Sequence, residues 1–267
     1  MANWLSADGV ASLRYDKLGS GQTGWGKYAA HPDQVGIGPY EQEAVAALDF
    51  LAAQRQVDRA RLAAFGHSEG GIYALLLASG LAGPAPRVRA VVLLEPVPIR
   101  ILDLLEQGAI PSAPVTGAAQ QGQMTAAQAR SLQQEFARAV ASLRRTGTLP
   151  AGMPRELVAG GFIFPTPLLE FAQIDRYDPA AVAARFPAHT AVLLTCSNAD
   201  NQVGCAQEDH LAAGLWQASA SLDYVHLDGV DHFLKEDIAG VDPTNNQSLP
   251  FSAQLRAALK TFLASNL

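Results

Sequence analysis

A short apolar run, Leu62, Ala63, Ala64 and Phe65, turns through Gly66, His67, Ser68, Glu69, Gly70 and Gly71 straight into residues 72–81 (IYALLLASGL), which are nearly all apolar. A helix without a polar face has to be buried. A strand that enters such a helix through so tight a turn belongs to a layered α/β domain, with the turn at the strand's carboxyl end.

The rest of the chain repeats the same alternation. Strands are predicted at residues 10–15, 62–65, 88–94, 191–195 and 222–227, where apolar and β-branched residues cluster. Residues 41–53 carry Val45, Leu48 and Leu51 at helical spacing, and Pro39 stands just ahead, where proline suits a helix start. A last helix is predicted from Ser252, with Leu255, Leu259, Phe262 and Leu263 on one face. The predicted fold is therefore α/β, a mostly parallel sheet flanked by helices. The chain has 267 residues, 49% of them hydrophobic and 16% charged, enough apolar material for a substantial core and too much for disorder.

After Glu95 the alternation stops. Residues 96–187 read as helices and loops without a strand, an insertion too long for a plain connection. This divides the chain into a core of residues 1–95 and 188–267 and an inserted helical segment, 96–187. The clearest helix of the insertion opens at Thr125 with Gln128 three residues on, then repeats Leu132, Phe136, Val140 and Leu143 before Gly147. Phe136 and Leu143 are expected to pack on neighbouring helices rather than to touch substrate.

The turn holds a Gly-x-Ser-x-Gly in a strand-turn-helix setting. A serine at such a turn sits in a strained conformation, and the positions two before and two after it, Gly66 and Gly70, must be small to avoid collision. The turn also puts the Glu69 N–H and the helix start beside Ser68, where charge would develop on an attacked carbonyl oxygen. A serine hydroxyl is a weak nucleophile without a base to take its proton and an acid behind that base. The strand at 191–195 runs into a loop carrying Asp200, the predicted acid. The strand at 222–227 runs into a loop carrying His232, the predicted base. Asp228 and Asp231 are rival acids, but both lie close to His232 in sequence. Of the other histidines, His31 lies in a loop, His189 precedes a strand, His210 lies in a helix, His226 lies in a strand, and the place of His67 inside the turn argues against its serving as the serine's base.

Taken together, residues 13–21 (LRYDKLGSG), 66–71 (GHSEGG), 177–180 (YDPA), 200–203 (DNQV) and 229–235 (GVDHFLK) resemble the α/β-hydrolases, in particular their cap-bearing esterase and serine-aminopeptidase-like branch. The resemblance implies Ser68 as nucleophile, Asp200 as acid, His232 as general base, a backbone oxyanion donor at Glu69, and residues 96–187 as a helical cap over the pocket. It also implies further strands ahead of residue 10 and, after the third, a loop giving a second oxyanion donor; the chain reads as N-terminally short of these. The strands at 10–15 and 62–65 must then pair directly, or another segment must fill the gap, and a homodimer covering the exposed sheet edge or an upstream part of the protein is expected. The activity implied is cleavage of a small-molecule carboxylic ester through an acyl-enzyme. Amide or peptide hydrolysis, and a catalytically silent binding protein of the same fold, are the alternatives.

Other functions find less support. A net charge of −6, from 19 basic and 25 acidic residues, argues against nucleic acid as partner. No apolar stretch is long enough to span a membrane, and a soluble protein is expected. No His-Glu-x-x-His or similar ligand set points to a metal, and no cofactor is expected. Residues 19–24 (GSGQTG) match a dinucleotide fingerprint, but residues 25–38 read as loop where that motif needs a helix; Trp25 and Tyr28 in this loop serve substrate contact or simple packing. Cys196 and Cys205 bracket the Asp200 loop, either as free thiols or as a disulfide that would hold the acid and imply an exported rather than a cytoplasmic protein.

Overall fold

The computed structural model describes residues 1–107, 122, 124–153, 167–237 and 248–267. It divides into two compact units, one of residues 1–16, 40–99 and 178–267, the other of residues 17–39 and 100–177.

The first unit is built on a parallel sheet of four strands in the order β1 (Ala63–His67), β2 (Ala90–Leu94), β3 (Ala191–Ser197) and β4 (Ser221–Leu227). β2 and β3 are buried along their whole length, as central strands covered on both faces must be. One face packs against α9 (Ala253–Asn266), whose Leu255, Leu259, Phe262 and Leu263 meet Val92, Leu94 and Leu193, with Leu5 of α1 (Ala2–Ala7) joining them. Ser252 caps α9 by accepting from the Leu255 N–H. The opposite face carries α3 (Gly70–Ser79) and α8 (Cys205–Gln217), with α7 (Pro179–Ala183) packed on both helices. α7 starts at residues 177–180, where Asp178 accepts from the Ala180 and Ala181 N–H groups and Pro179 fills the first helical position. α2 (Ile37–Ala52) begins four residues earlier than its apolar spacing indicates, with Pro39 in its first turn.

Residues 10–15 depart from expectation. They form no strand, and β1, which they were expected to join, pairs only with β2 among the described residues. The reason is that an extended run becomes a strand only when its backbone groups find a ladder partner, whereas this run and β1 flank a groove of about 610 Å³ lined by Val10, Leu13, Tyr15, Ala63 and Phe65 among others. Leu13 and Tyr15 stay 39% and 50% exposed. The Leu62 carbonyl accepts from β2's side and the Ser68 N–H donates to Leu94. Because backbone direction alternates along a strand, the N–H and C=O groups of Ala63 and Phe65 point the other way, toward the groove.

In the second unit the described residues of 100–177 hold three helices: α4 (Ile101–Gln107), α5 (Ala126–Thr146) and α6 (Leu168–Ile174). α5 opens with the predicted capping box, Thr125 Oγ1 accepting from Gln128 N and Gln128 Oε1 from Thr125 N, and closes at Gly147 with φ 72°. Phe136 and Leu143 are buried on this helix, which contacts α4 and α6. The buried carboxylate of Asp175 ties the three helices. It accepts from Arg100 Nη2 (2.7 Å), Arg144 Nε (2.8 Å) and the Leu102 N–H (2.9 Å), and its hydrogen bond holds the Arg144 guanidinium above its ordinary range. Residues 19–24 form a tight loop, the Gly19 N–H donating to the Gly24 carbonyl at 2.7 Å, and no α-helix starts within it. The Trp25 ring lies over Gly19, within 2.6 Å of where a β-carbon would stand, and Tyr28 ends a single 3₁₀ turn with Lys27 Nζ 5.1 Å from its ring centre. Among the described residues no helix is long and apolar enough to cross a membrane.

Candidate active site

The turn between β1 and α3 is drawn tight by the backbone. Ser68 has φ 52°, a left-handed value that a non-glycine residue adopts at a cost. Three bonds hold it there: Ser68 N–H to Leu94 O (3.1 Å), and Ser68 O accepting from Gly71 N (2.9 Å) and Val97 N (3.2 Å). A β-carbon at Gly66 would come within 2.6 Å of Gly70 C and Gly71 Cα, so glycine is demanded there. At Gly70 the expectation fails, because a β-carbon would meet nothing within 4 Å. The second crowded position is Gly71, 2.5 Å from Pro96 Cβ. The turn therefore closes on the glycine three residues after the serine.

Ser68 Oγ lies 2.9 Å from His232 Nε2, and His232 Nδ1 lies 2.7 Å from Asp200 Oδ2. Because a carboxylate only accepts, Nδ1 carries the hydrogen and Nε2 is left to accept from the serine hydroxyl. The His232 and Asp200 side chains are 4% and 0% exposed. Asp200 is aimed by its own turn, Oδ1 accepting from the Gln202 N–H (2.7 Å) and the Val203 N–H (2.9 Å). A disulfide joins Cys196 to Cys205 around this turn. The rival acids are engaged elsewhere: Asp231 Oδ1 accepts from the Lys235 N–H at 2.8 Å, and Asp228 bonds Asn198 Nδ2.

Two residues here were not assigned their part from sequence. His67 Nε2 stands 2.6 Å from the His232 carbonyl, to which it must donate, and so tethers the backbone of the loop that carries the base. Burial lowers its pKa, so the ring stays neutral. Glu95, fully buried at the end of β2, lies against Asp200; its carboxyl accepts from Thr195 Oγ1 (3.3 Å) and its N–H donates to the same oxygen (3.2 Å). Its φ of 43° matches the strained form of Ser68, and the β1–β2 register sets the two side by side. The signal in sequence was a lone acid directly after AVVLL.

The fold has counterparts among known proteins. A model described as "Alpha/beta hydrolase family" matches residues 3–236. Among solved structures, GrgF from Penicillium sp. sh18, an alpha/beta hydrolase, superposes with a TM-score of 0.57 at 14% identity over 99% of this chain and 83% of its own. DcsB in complex with its substrate analogue gives 0.56 at 16% identity over 100% and 84%. Est1E from Butyrivibrio proteoclasticus, with ferulic acid bound, gives 0.55 at 16% identity over 99% and 80%. At such identities the likeness is one of fold. No curated protein matches the sequence.

Proposed function

Given that the chain belongs to the alpha/beta hydrolase family, we propose that it is a serine hydrolase that cleaves carboxylic esters by way of an acyl-enzyme. The observation that carries this reading is the unbroken chain from Ser68 Oγ through the His232 imidazole to Asp200, with links of 2.9 and 2.7 Å.

The steps follow from those contacts. His232 Nε2 takes the hydroxyl proton as Ser68 Oγ attacks the ester carbon, and Asp200 stabilises the imidazolium that forms. Glu69 stands at the start of α3, and its N–H is the donor assigned to the oxyanion, with the helix's positive end behind it. His232 then gives its proton to the departing alcohol, water attacks the acyl-enzyme, and the acid leaves. His67 keeps the imidazole in register by holding the His232 carbonyl. An alkoxide leaves more readily than an amide nitrogen, so esters make the lesser demand on the oxyanion site.

A fluorophosphonate probe tests the reading. Wild-type protein should be labelled at Ser68, and Ser68→Ala should lose both labelling and turnover by several orders of magnitude. Absence of labelling in folded wild type would remove the hydrolase reading. Faster turnover of aminoacyl anilides than of nitrophenyl esters would replace ester by amide chemistry.

A further inference from the structure

Asp200 has a neighbour that the Ser68–His232–Asp200 chain does not require. Glu95 is fully buried, comes off β2 in a strained left-handed conformation, and brings its carboxyl into hydrogen-bond contact with that of Asp200. Two carboxyl groups meeting out of water cannot both be charged without strong repulsion, so one proton lies between them. Its place follows from counting donors. Asp200 already accepts from His232 Nδ1, Gln202 N and Val203 N. Glu95 accepts at Oε1 from Thr195, while Oε2 meets no donor. The proton therefore belongs on Glu95, and its acceptor is Asp200.

We propose that Glu95 is a positioning residue: a neutral carboxylic acid that donates a hydrogen bond to Asp200 and so holds the acid that orients His232. This rests on the hydrolase reading above and adds a residue from a third strand end. The groups facing Glu95 are Asp200 and Thr195 on β3 and the loop after it, the Ser197 backbone, Glu208 on α8, and more distantly Tyr224 on β4. Glu208 is also fully buried and its two oxygens have no hydrogen-bond partner among the described residues. Burial raises its pKa well above the ordinary carboxyl value, which favours the neutral form. Burial first, then Asp200, push the Glu95 carboxyl up to about 8. Above that pH a second negative charge forms against Asp200, and the aligned state of the triad is lost.

The test compares Glu95→Gln, Glu95→Ala and Glu208→Gln with wild type by fluorophosphonate labelling rate between pH 6 and 10, and follows the Glu95 carboxyl carbon by NMR in glutamate-labelled protein. Wild type should lose about tenfold in labelling rate per pH unit above about pH 8, the slope of one proton. Glu208→Gln should keep that decline. Glu95→Ala should be slower by roughly tenfold or more at pH 7, the scale of one lost hydrogen bond to a charged group. Glu95→Gln still offers an N–H to Asp200, so it should recover most of that loss and show no decline. A carbon signal that vanishes in Glu95→Gln should titrate near pH 8. A Glu95 signal that titrates below pH 6, or a Glu95→Gln variant with the wild-type decline, would overturn the proposal. Wild type that is never labelled but whose Glu95 titrates near 8 would sink the hydrolase reading and leave the carboxyl pair standing.

Discussion

Reducing the disulfide between Cys196 and Cys205 separates two ways in which a bridge can act. The bond closes a loop with a sequence separation of 9. In the chain-entropy picture, a closed loop of about that length restricts the unfolded chain by roughly 2.1 + 1.5R ln 9 cal/mol/K, or about 2.6 kcal/mol at 25 °C. For a chain of this size that corresponds to a melting temperature lower by roughly 5–10 °C. The folded loop has a separate hold on itself, since Asp200 Oδ1 accepts from the Gln202 and Val203 N–H groups within it. Reduction should therefore weaken the fold while leaving the acid aimed at His232. Calorimetry of oxidised protein, reduced protein and a Cys205→Ala variant gives the first quantity, and the labelling rate of Ser68 at 25 °C gives the second. The expected result is the stated drop in melting temperature with a labelling rate unchanged within about twofold. If reduction, verified by mass, leaves the melting temperature where it was and stops labelling, the entropic account is wrong and the bridge acts by holding the acid in place.

Gly66→Ala would drive a β-carbon into the Gly70 and Gly71 backbone, which cannot yield as a flexible side chain can; a loss of about 3 kcal/mol is expected, and an unchanged urea midpoint would contradict it. Glu95 also makes stability depend on pH. Its folded pKa, about 8, is raised above the ordinary carboxyl value of 4.5, so the folded state keeps a proton that the unfolded chain releases; the stabilisation is complete below about pH 4.5 and disappears as pH rises to about 8, with a slope of at most about 1.4 kcal/mol per pH unit. Urea unfolding of Glu95→Gln across that window should give a flatter profile than wild type, and parallel profiles would refute the assignment.

The residues legible in sequence were those whose role is written in a few adjacent positions. Ser68 was visible because its turn, its strand and its apolar helix are contiguous, and Thr125 because a capping box spans four residues. Asp200 and His232 could be chosen because parallel strands deliver their loops to one end of a sheet. Residues 10–15 misled because a cluster of apolar residues states only a capacity to pair, and pairing is decided by a neighbour elsewhere in the chain. Gly70 was credited with the crowding that belongs to Gly71, whose obstacle, Pro96, is 25 positions away. His67, Glu95 and Asp175 were missed for the same reason: their partners at 232, 200 and 144 are joined to them only by the fold.

β1, which leads into Ser68, is the outermost strand of its sheet on that side among the described residues. The amides of Ala63 and Phe65 turn toward the groove rather than toward β2, so among the described residues that flank of the nucleophile's strand has no ladder neighbour to lock it. The hydroxyl is thus carried on a strand braced, among the described residues, from the β2 side alone.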